Sequence, residues 1–200
     1  MLDAALRRLI DPALKPVAAA MVRAGASADA VTIGGFAIGM LSLPAIAAGQ
    51  FGLALLAIAI NRLSDGLDGA IARITRQTDR GGYLDIVCDF IFYAGCVFGF
   101  ALADQANALP AAFLIFSFMG TGSSFLAYAI MAAKRGMSTD IRGSKSLYYL
   151  GGITEGTETI AFLVAICLWP AAFPMLAWGF GALCWVTTAS RILAAWRSFD

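Results

Sequence analysis

The sequence contains no histidine, and its four cysteines, Cys88, Cys96, Cys167 and Cys184, include no pair at metal-ligand spacing. Zinc and haem chemistry are therefore not expected, and the cysteines read as small apolar packing residues. Charge is scarce as well. Only 14% of the 200 residues are charged, against 60% hydrophobic, and the mean hydropathy is +0.79. Soluble domains carry roughly a quarter charged residues, so this composition describes an integral membrane protein. The apolar runs lack the two-residue alternation of a transmembrane barrel. No internal repeat or low-complexity segment stands out. The first 25 residues mix charge throughout and lack the clean apolar core of a cleavable signal.

What is present is a series of apolar runs. A helical span takes about 20 mostly apolar residues, and such runs lie near 31–50, 51–75, 82–103, 108–133, 146–169 and 171–196. The expected fold is an all-α membrane protein with six transmembrane helices, preceded by an N-terminal amphipathic surface helix. The whole chain, 1–200, reads as one membrane domain, with 1–25 an amphipathic juxtamembrane segment and 31–197 the six-helix bundle. In the first segment Leu6, Leu9, Ile10, Leu14 and Val17 recur at helical spacing, with Arg7, Arg8 and Lys15 elsewhere on the wheel. Pro12 is expected to bend that helix or to start a second segment.

The basic residues give the orientation. All 14 fall into four groups, at Arg7 to Arg23, Arg62 to Arg80, Lys134 to Lys145, and Arg191 with Arg197. With six spans these groups share one side of the membrane. The opposite loops, near Gln50, Asp104 to Ala108, and Trp169 to Ala172, contain no Lys or Arg. By the positive-inside rule both termini face the cytoplasm.

Against this oily background, residues 65–89 read DGLDGAIARITRQTDRGGYLDIVCD. On a helix at about 100° per residue, with Asp65 at zero, Asp68 falls near about −60°, Gly69 about +40°, Ala72 about −20° and Arg73 about +80°. Two carboxylates and two tiny residues thus share a face of the second span. On the third span Gly81, Asp85 and Asp89 step by four and share a face too. The polar turn TRQTDRGG makes the two spans antiparallel neighbours, so the four aspartates can converge. One charged residue at mid-membrane costs roughly 2.5–3.5 kcal/mol, and four facing carboxylates need something positive among them. All-carboxylate ligands suit a hard divalent cation such as Mg²⁺ or Mn²⁺. Four carboxylates are enough for two ions, as in two-metal phosphoryl chemistry. Gly69 and Ala72 leave room above them. The competing reading pairs the acids with Arg62, Arg73, Arg76 and Arg80 at the helix ends.

The pattern Asp65-x2-Asp68-Gly69-x2-Ala72-Arg73-x7-Gly81-x3-Asp85-x3-Asp89 resembles the signature of the CDP-alcohol phosphatidyltransferase family. These are six-helix membrane enzymes of phospholipid synthesis, usually homodimeric. Every fixed residue is present. The gap from the arginine to the second glycine is seven residues where the family usually has eight, a deletion that falls in the turn between helices. The resemblance implies that Asp65, Asp68, Asp85 and Asp89 bind two divalent cations, Mg²⁺ or Mn²⁺. It further implies that Asp89 is the base accepting the proton of the attacking hydroxyl. Gly69, Ala72 and Arg73 would line the cytidine diphosphate site, with Thr78 and Gly81 near the phosphates. Asp29 and Thr32, at the start of the first span, resemble a nucleotide-touching segment of the family, with Ala28 standing where the family has proline.

The implied substrate is a CDP-linked lipid such as CDP-diacylglycerol, with a small alcohol as acceptor, CMP as product and membrane lipids as surroundings. The swapped assignment, a CDP-alcohol donor with diacylglycerol as acceptor, uses the same motif. A small cation transporter is the reading from another class, since intramembrane acids also mark ion paths. The expected location is the inner membrane of a bacterium, with the active site on the cytoplasmic side. No nucleic-acid partner is expected.

For the acceptor the candidates are Lys134, Arg135 and Lys145 around the loop before the fifth span, Arg191 in the sixth, and Glu155 and Glu158. The stretch GGITEGTET, 151–159, places the two glutamates two to three turns inside the fifth span. The resemblance implies several basic residues here when the acceptor is phosphorylated; glutamates instead point to an acceptor that is not strongly anionic, a polyol or an amino alcohol, with structural pairing of the glutamates to Lys145 or Arg191 as an equal alternative. Gly120, Gly122, Ser123 and Ser124 in the fourth span read as close-packing residues.

Overall fold

The computed structural model describes residues 2–137 and 151–199, with side chains from Ile10 onward. The described chain is all helical: α1 (Leu2–Arg23), α2 (Ala28–Met40), α3 (Ser42–Ala47), α4 (Phe51–Ile74), α5 (Asp79–Ala103), α6 (Ala108–Lys134), α7 (Gly156–Leu168) and α8 (Phe173–Phe199). Short 3-10 turns at Gln105–Asn107 and Pro170–Ala172 lead into α6 and α8.

Among the described residues, four stretches are long and apolar enough to cross a membrane: Ala28–Ala47, Asp79–Ala103, Gln105–Lys134 and Pro170–Phe199. The expected second span, α4, has 24 residues, about 36 Å at 1.5 Å per residue. Its charges at Arg62, Asp65, Asp68 and Arg73 dilute its hydropathy. The fifth, α7, has 13 residues and begins later than expected. The first span is broken between Met40 and Ser42, where Pro44 has no N–H to continue the ladder. The Ser42 hydroxyl sits 3.1 Å from the Cys96 thiol at this break.

Close packing relies on small residues, as is usual between membrane helices. A Cβ at Gly39 of α2 would lie 2.8 Å from the Asn61 side chain of α4, and one at Gly35 would run into Ser64. A Cβ at Gly122 of α6 would meet Phe90 of α5 at 2.8 Å, and one at Gly120 would meet Thr188 of α8 at 3.0 Å. The glycines of α6 are therefore packing residues, as expected. Stacked rings fill the core, with Phe100 4.3 Å from Phe173 and 5.7 Å from Phe51 between centroids.

Helix α1 runs unbroken from Leu2 to Arg23 through both Pro12 and Pro16, so no second segment starts at Pro12. Its buried Leu14 and Ala18 pack on Leu67, Ala70 and Ile71 of α4. Gly66 makes this possible, because a Cβ there would lie 2.8 Å from Leu14. Helices α2 and α3 pack against both α4 and α5, whereas α4 and α5 approach each other in few places. The space left between that pair holds the aspartates.

Candidate active site

Helix α5 starts three residues earlier than the apolar run suggests. Thr78 has extended backbone and its hydroxyl accepts the Gly81 N–H at 3.0 Å, capping a first turn that begins with Asp79. That cap fixes where the turn Thr75–Gln77 ends, and with it the height of Asp85 and Asp89 opposite α4.

Asp65, Asp68 and Asp85 each offer a carboxylate oxygen within 4.8 Å of the others. Two oxygens on opposite sides of a Mg²⁺ lie about 4.2 Å apart, given bonds of about 2.1 Å. The donors are hard oxygens from anionic groups, and Asp68 is 7% exposed. The set therefore fits a hard divalent cation. Thr32 of α2 donates its hydroxyl to Asp68 Oδ2 at 2.5 Å, the kind of outer contact that orients a metal-binding carboxylate.

Asp89 lines the same pocket as these three aspartates, together with Thr32, Asn61 and Arg62. It stands outside the three-oxygen group. Its Oδ1 accepts from Arg62 Nη2 at 2.6 Å and its Oδ2 accepts from the Tyr93 hydroxyl at 2.9 Å. Arg62 Nη1 also lies 3.8 Å from Asp65 Oδ2. Part of the arginine-pairing alternative is thus realised, in the middle of α4 rather than at a helix end. Arg62, Asn61 and Tyr93 were not among the expected site residues. The available signal was an Asn-Arg pair inside a span, one turn before Asp65.

The expected nucleotide residues gather at the ends of α2, α4 and α5. Asp29 pairs with Arg80 at 2.5 Å, and a Cβ on Gly81 would come within 3.3 Å of Asp29 and 3.2 Å of Thr78. Arg73 pairs with Asp11 of α1 at 3.0 Å. Its Nη1 would lie 3.4 Å from a Cβ on Gly69, so this guanidinium leans over Gly69. Ala72 is half-buried one residue before it.

The acceptor candidates are placed differently from the expectation. Glu155 and Glu158 are not turns deep in a span: Glu155 is the N-cap of α7, and the two form a capping box. Glu158 Oε2 accepts the Glu155 N–H at 3.1 Å, and Glu155 Oε1 accepts the Gly152 N–H at 2.8 Å. Glu155 has extended backbone, and α7 starts directly after it. Thr187 of α8 supports this segment, its hydroxyl oxygen accepting the Ile153 and Thr154 N–H groups at 3.2 and 3.1 Å. Arg191 is buried, donates from Nη1 to Thr121 O at 2.9 Å, and lies over the Phe125 ring. Arg135 donates to Ser198 O and Phe199 O, tying α6 to the end of α8. Lys134 is exposed. Lys145 lies outside the described residues. Among the described residues, none of these candidates lines the aspartate pocket.

The chain matches the family model for CDP-alcohol phosphatidyltransferases over residues 26–192. It is 51% identical to Inner membrane protein YnjF of Escherichia coli (strain K12) over 193 residues, 96% of this chain and 94% of that protein. It is 30% identical to phosphatidylinositol phosphate synthase of Mycolicibacterium smegmatis over 188 residues, 90% of this chain and 78% of that one. Among solved structures, the fold is similar to phosphatidylinositol phosphate synthase of Mycobacterium tuberculosis. The form with CDP-DAG bound has a TM-score of 0.76 at 21% identity, covering 92% of this chain and 93% of that one. The form in complex with manganese and citrate has a TM-score of 0.73 at 23% identity, covering 92% and 88%.

Proposed function

The chain belongs to the CDP-alcohol phosphatidyltransferase family, a metal-dependent class of membrane transferases in phospholipid synthesis, and on that premise we propose how its residues divide the work. The reaction is transfer of a phosphatidyl group from CDP-diacylglycerol to the hydroxyl of an alcohol, with release of CMP. The observation that carries the residue assignment is the convergence of Asp65, Asp68 and Asp85 from two helices, with Asp89 beside them. The relatives favour the CDP-diacylglycerol donor over the swapped assignment, and the transporter reading gives way to the family.

Asp65, Asp68 and Asp85, with Asp89 at their edge, would hold the divalent cations. When bound, such ions neutralise charge on the diphosphate as the phosphorus is attacked. Thr32 keeps Asp68 turned into the site. Gly69 and Ala72 leave the face of α4 open to the cytidine diphosphate, and Arg73 reaches a phosphate oxygen from above Gly69. Thr78 and Gly81 put the first turn of α5 beside the same group, with Asp29 against it. Asp89 accepts the proton of the acceptor hydroxyl as its oxygen bonds to phosphorus and the bond to CMP breaks.

For the acceptor we propose a polyol or an amino alcohol. Glu155 and Glu158 serve as scaffold through their cap. Arg135 and Arg191, the described arginines among the candidates, donate to backbone carbonyls of α8 and α6. Such arrangements favour structure over capture of an anionic acceptor. The bundle is proposed to have six spans, α1 on the cytoplasmic membrane surface, and both termini and the site on the cytoplasmic side. Residues 1–200 would form one domain, assembled as a homodimer in line with the family.

The test is a panel of glycerol, myo-inositol, serine, ethanolamine and glycerol 3-phosphate, offered to purified protein with CDP-diacylglycerol and Mn²⁺. CMP release and the product lipid are both measured. One uncharged or amine-bearing alcohol should support release at least about tenfold better than glycerol 3-phosphate, a difference of about 1.4 kcal/mol in transition-state binding. Preference for the phosphate would overturn the acceptor assignment while leaving the reaction intact.

A further inference from the structure

Resting on the reading of Asp89 as the base, we propose that Arg62 and Tyr93 are positioning residues for the reaction, clamping the Asp89 carboxylate in one orientation from a support that begins on α2. Both carboxylate oxygens are engaged. Arg62 Nη2 donates to Oδ1 at 2.6 Å, and the Tyr93 hydroxyl, one turn further along α5, donates to Oδ2 at 2.9 Å. An aspartate held at one oxygen still rotates about its last torsion, which is broad; held at both, it does not.

Arg62 is not a loose surface cation. Its side chain is 18% exposed. Its Nε and Nη2 both donate to Asn61 Oδ1, at 2.9 and 2.5 Å, and Nη1 donates to the Tyr93 oxygen at 3.2 Å. The guanidinium lies 5.1 Å from the Phe92 ring centroid and 5.5 Å from that of Tyr93. Asn61 is itself 5% exposed and donates from Nδ2 to Gly35 O at 3.1 Å. An unbroken chain of hydrogen bonds thus runs from the α2 backbone through Asn61 and Arg62 to Asp89. The close approach of α2 at Gly39 lets Asn61 fit. The same guanidinium stands 3.8 Å from Asp65 Oδ2, so it bridges the base and a second carboxylate of the site.

Position matters to a base more than proximity alone, since a misplacement of about 1 Å can cost about 10²-fold in rate. The planar fork of arginine supplies fixed directions that the single ammonium of lysine does not. That difference separates a clamp from a counter-charge.

The test compares Arg62→Lys, Tyr93→Phe and Asp89→Asn with the full wild-type chain, and Arg62→Lys within Asp89→Asn. It uses CDP-diacylglycerol with the best acceptor of the panel. Measured are kcat, KM for CDP-diacylglycerol, the affinity for Mn²⁺ alone by calorimetry, and the thermal midpoint. A clamp predicts that Arg62→Lys lowers kcat by about 10- to 100-fold and Tyr93→Phe by less, with KM and the Mn²⁺ Kd within about threefold of wild type. It also predicts that Arg62→Lys costs nothing further once Asp89 is Asn, the non-additivity of residues acting through one group. A wild-type kcat for Arg62→Lys would assign Arg62 to charge balance and overturn the clamp. So would KM or Mn²⁺ Kd moving as far as kcat. Tyr93→Phe keeps the ring and its packing; if Arg62→Lys does not fold, unchanged kcat in Tyr93→Phe beside an inactive Asp89→Asn overturns it equally. A wild-type rate in Asp89→Asn removes the base assignment instead.

Discussion

At the scale of the residue, several of the site's charged side chains are each held by a specific contact. Thr32 turns Asp68 inward, Arg62 and Tyr93 hold Asp89, and Asp11 steadies Arg73 above Gly69. The Thr32 hydroxyl is the outer contact of a proposed metal ligand, and losing such a contact typically weakens metal binding about 10- to 100-fold. Thr32→Val should therefore weaken Mn²⁺ binding by that factor in calorimetry, with the thermal midpoint little changed; unchanged affinity would make the hydrogen bond incidental. The aspartates were legible because carboxylates at three- and four-residue spacing have few uses inside a membrane. The role of Arg62 was not. Its partners Asp89 and Tyr93 sit on another helix, and its geometry depends on Asn61 reaching α2, which no local pattern encodes.

Among the helices, the caps and the glycines set where each side chain stands. The α7 capping box joins Glu155 and Glu158 to the backbone of Gly152 and Glu155. Removing one cap typically costs about 1 kcal/mol. Glu158→Ala should lower stability by about that much, read as a drop in thermal midpoint, and should leave the preference among acceptors as it was. A changed acceptor preference would return Glu158 to the acceptor site. Gly39 should be less forgiving, because a Cβ there lies 2.8 Å from three atoms of Asn61. Gly39→Ala should cost about 1–3 kcal/mol by overpacking and lower kcat through the displaced Asn61; a neutral thermal midpoint would show that α2 can shift. The four described stretches long and apolar enough to span were readable from apolar runs. The start of α7 was not, because GGITEGTET reads as a continuation of an apolar run until the two glutamates are seen bonding backbone N–H groups.

For the whole molecule, charge distribution and site position make one statement. In the proposed topology the active-site residues, toward the α4–α5 turn, share a side of the membrane with the Lys and Arg groups, and the turns at Gln105–Asn107 and Pro170–Ala172, which carry no Lys or Arg, lie on the other. A reporter active only outside the cytoplasm should be silent when fused after Phe199 and active when inserted at Gln105–Asn107; the reverse pattern would invert the proposed topology. The all-helical membrane architecture was legible from composition, whereas α4 and α7 fall short of a simple span because one carries the site's charges and the other is short. The measurement that bears most directly on the central claim is Mn²⁺-dependent CMP release from CDP-diacylglycerol by the purified wild-type chain and by Asp89→Asn. Wild type should release CMP in the presence of an alcohol, stop when the metal is chelated, and lose about 10²- to 10⁴-fold in rate on substitution of the base. CMP release that survives both chelation and Asp89→Asn would contradict a metal-dependent transfer centred on these aspartates.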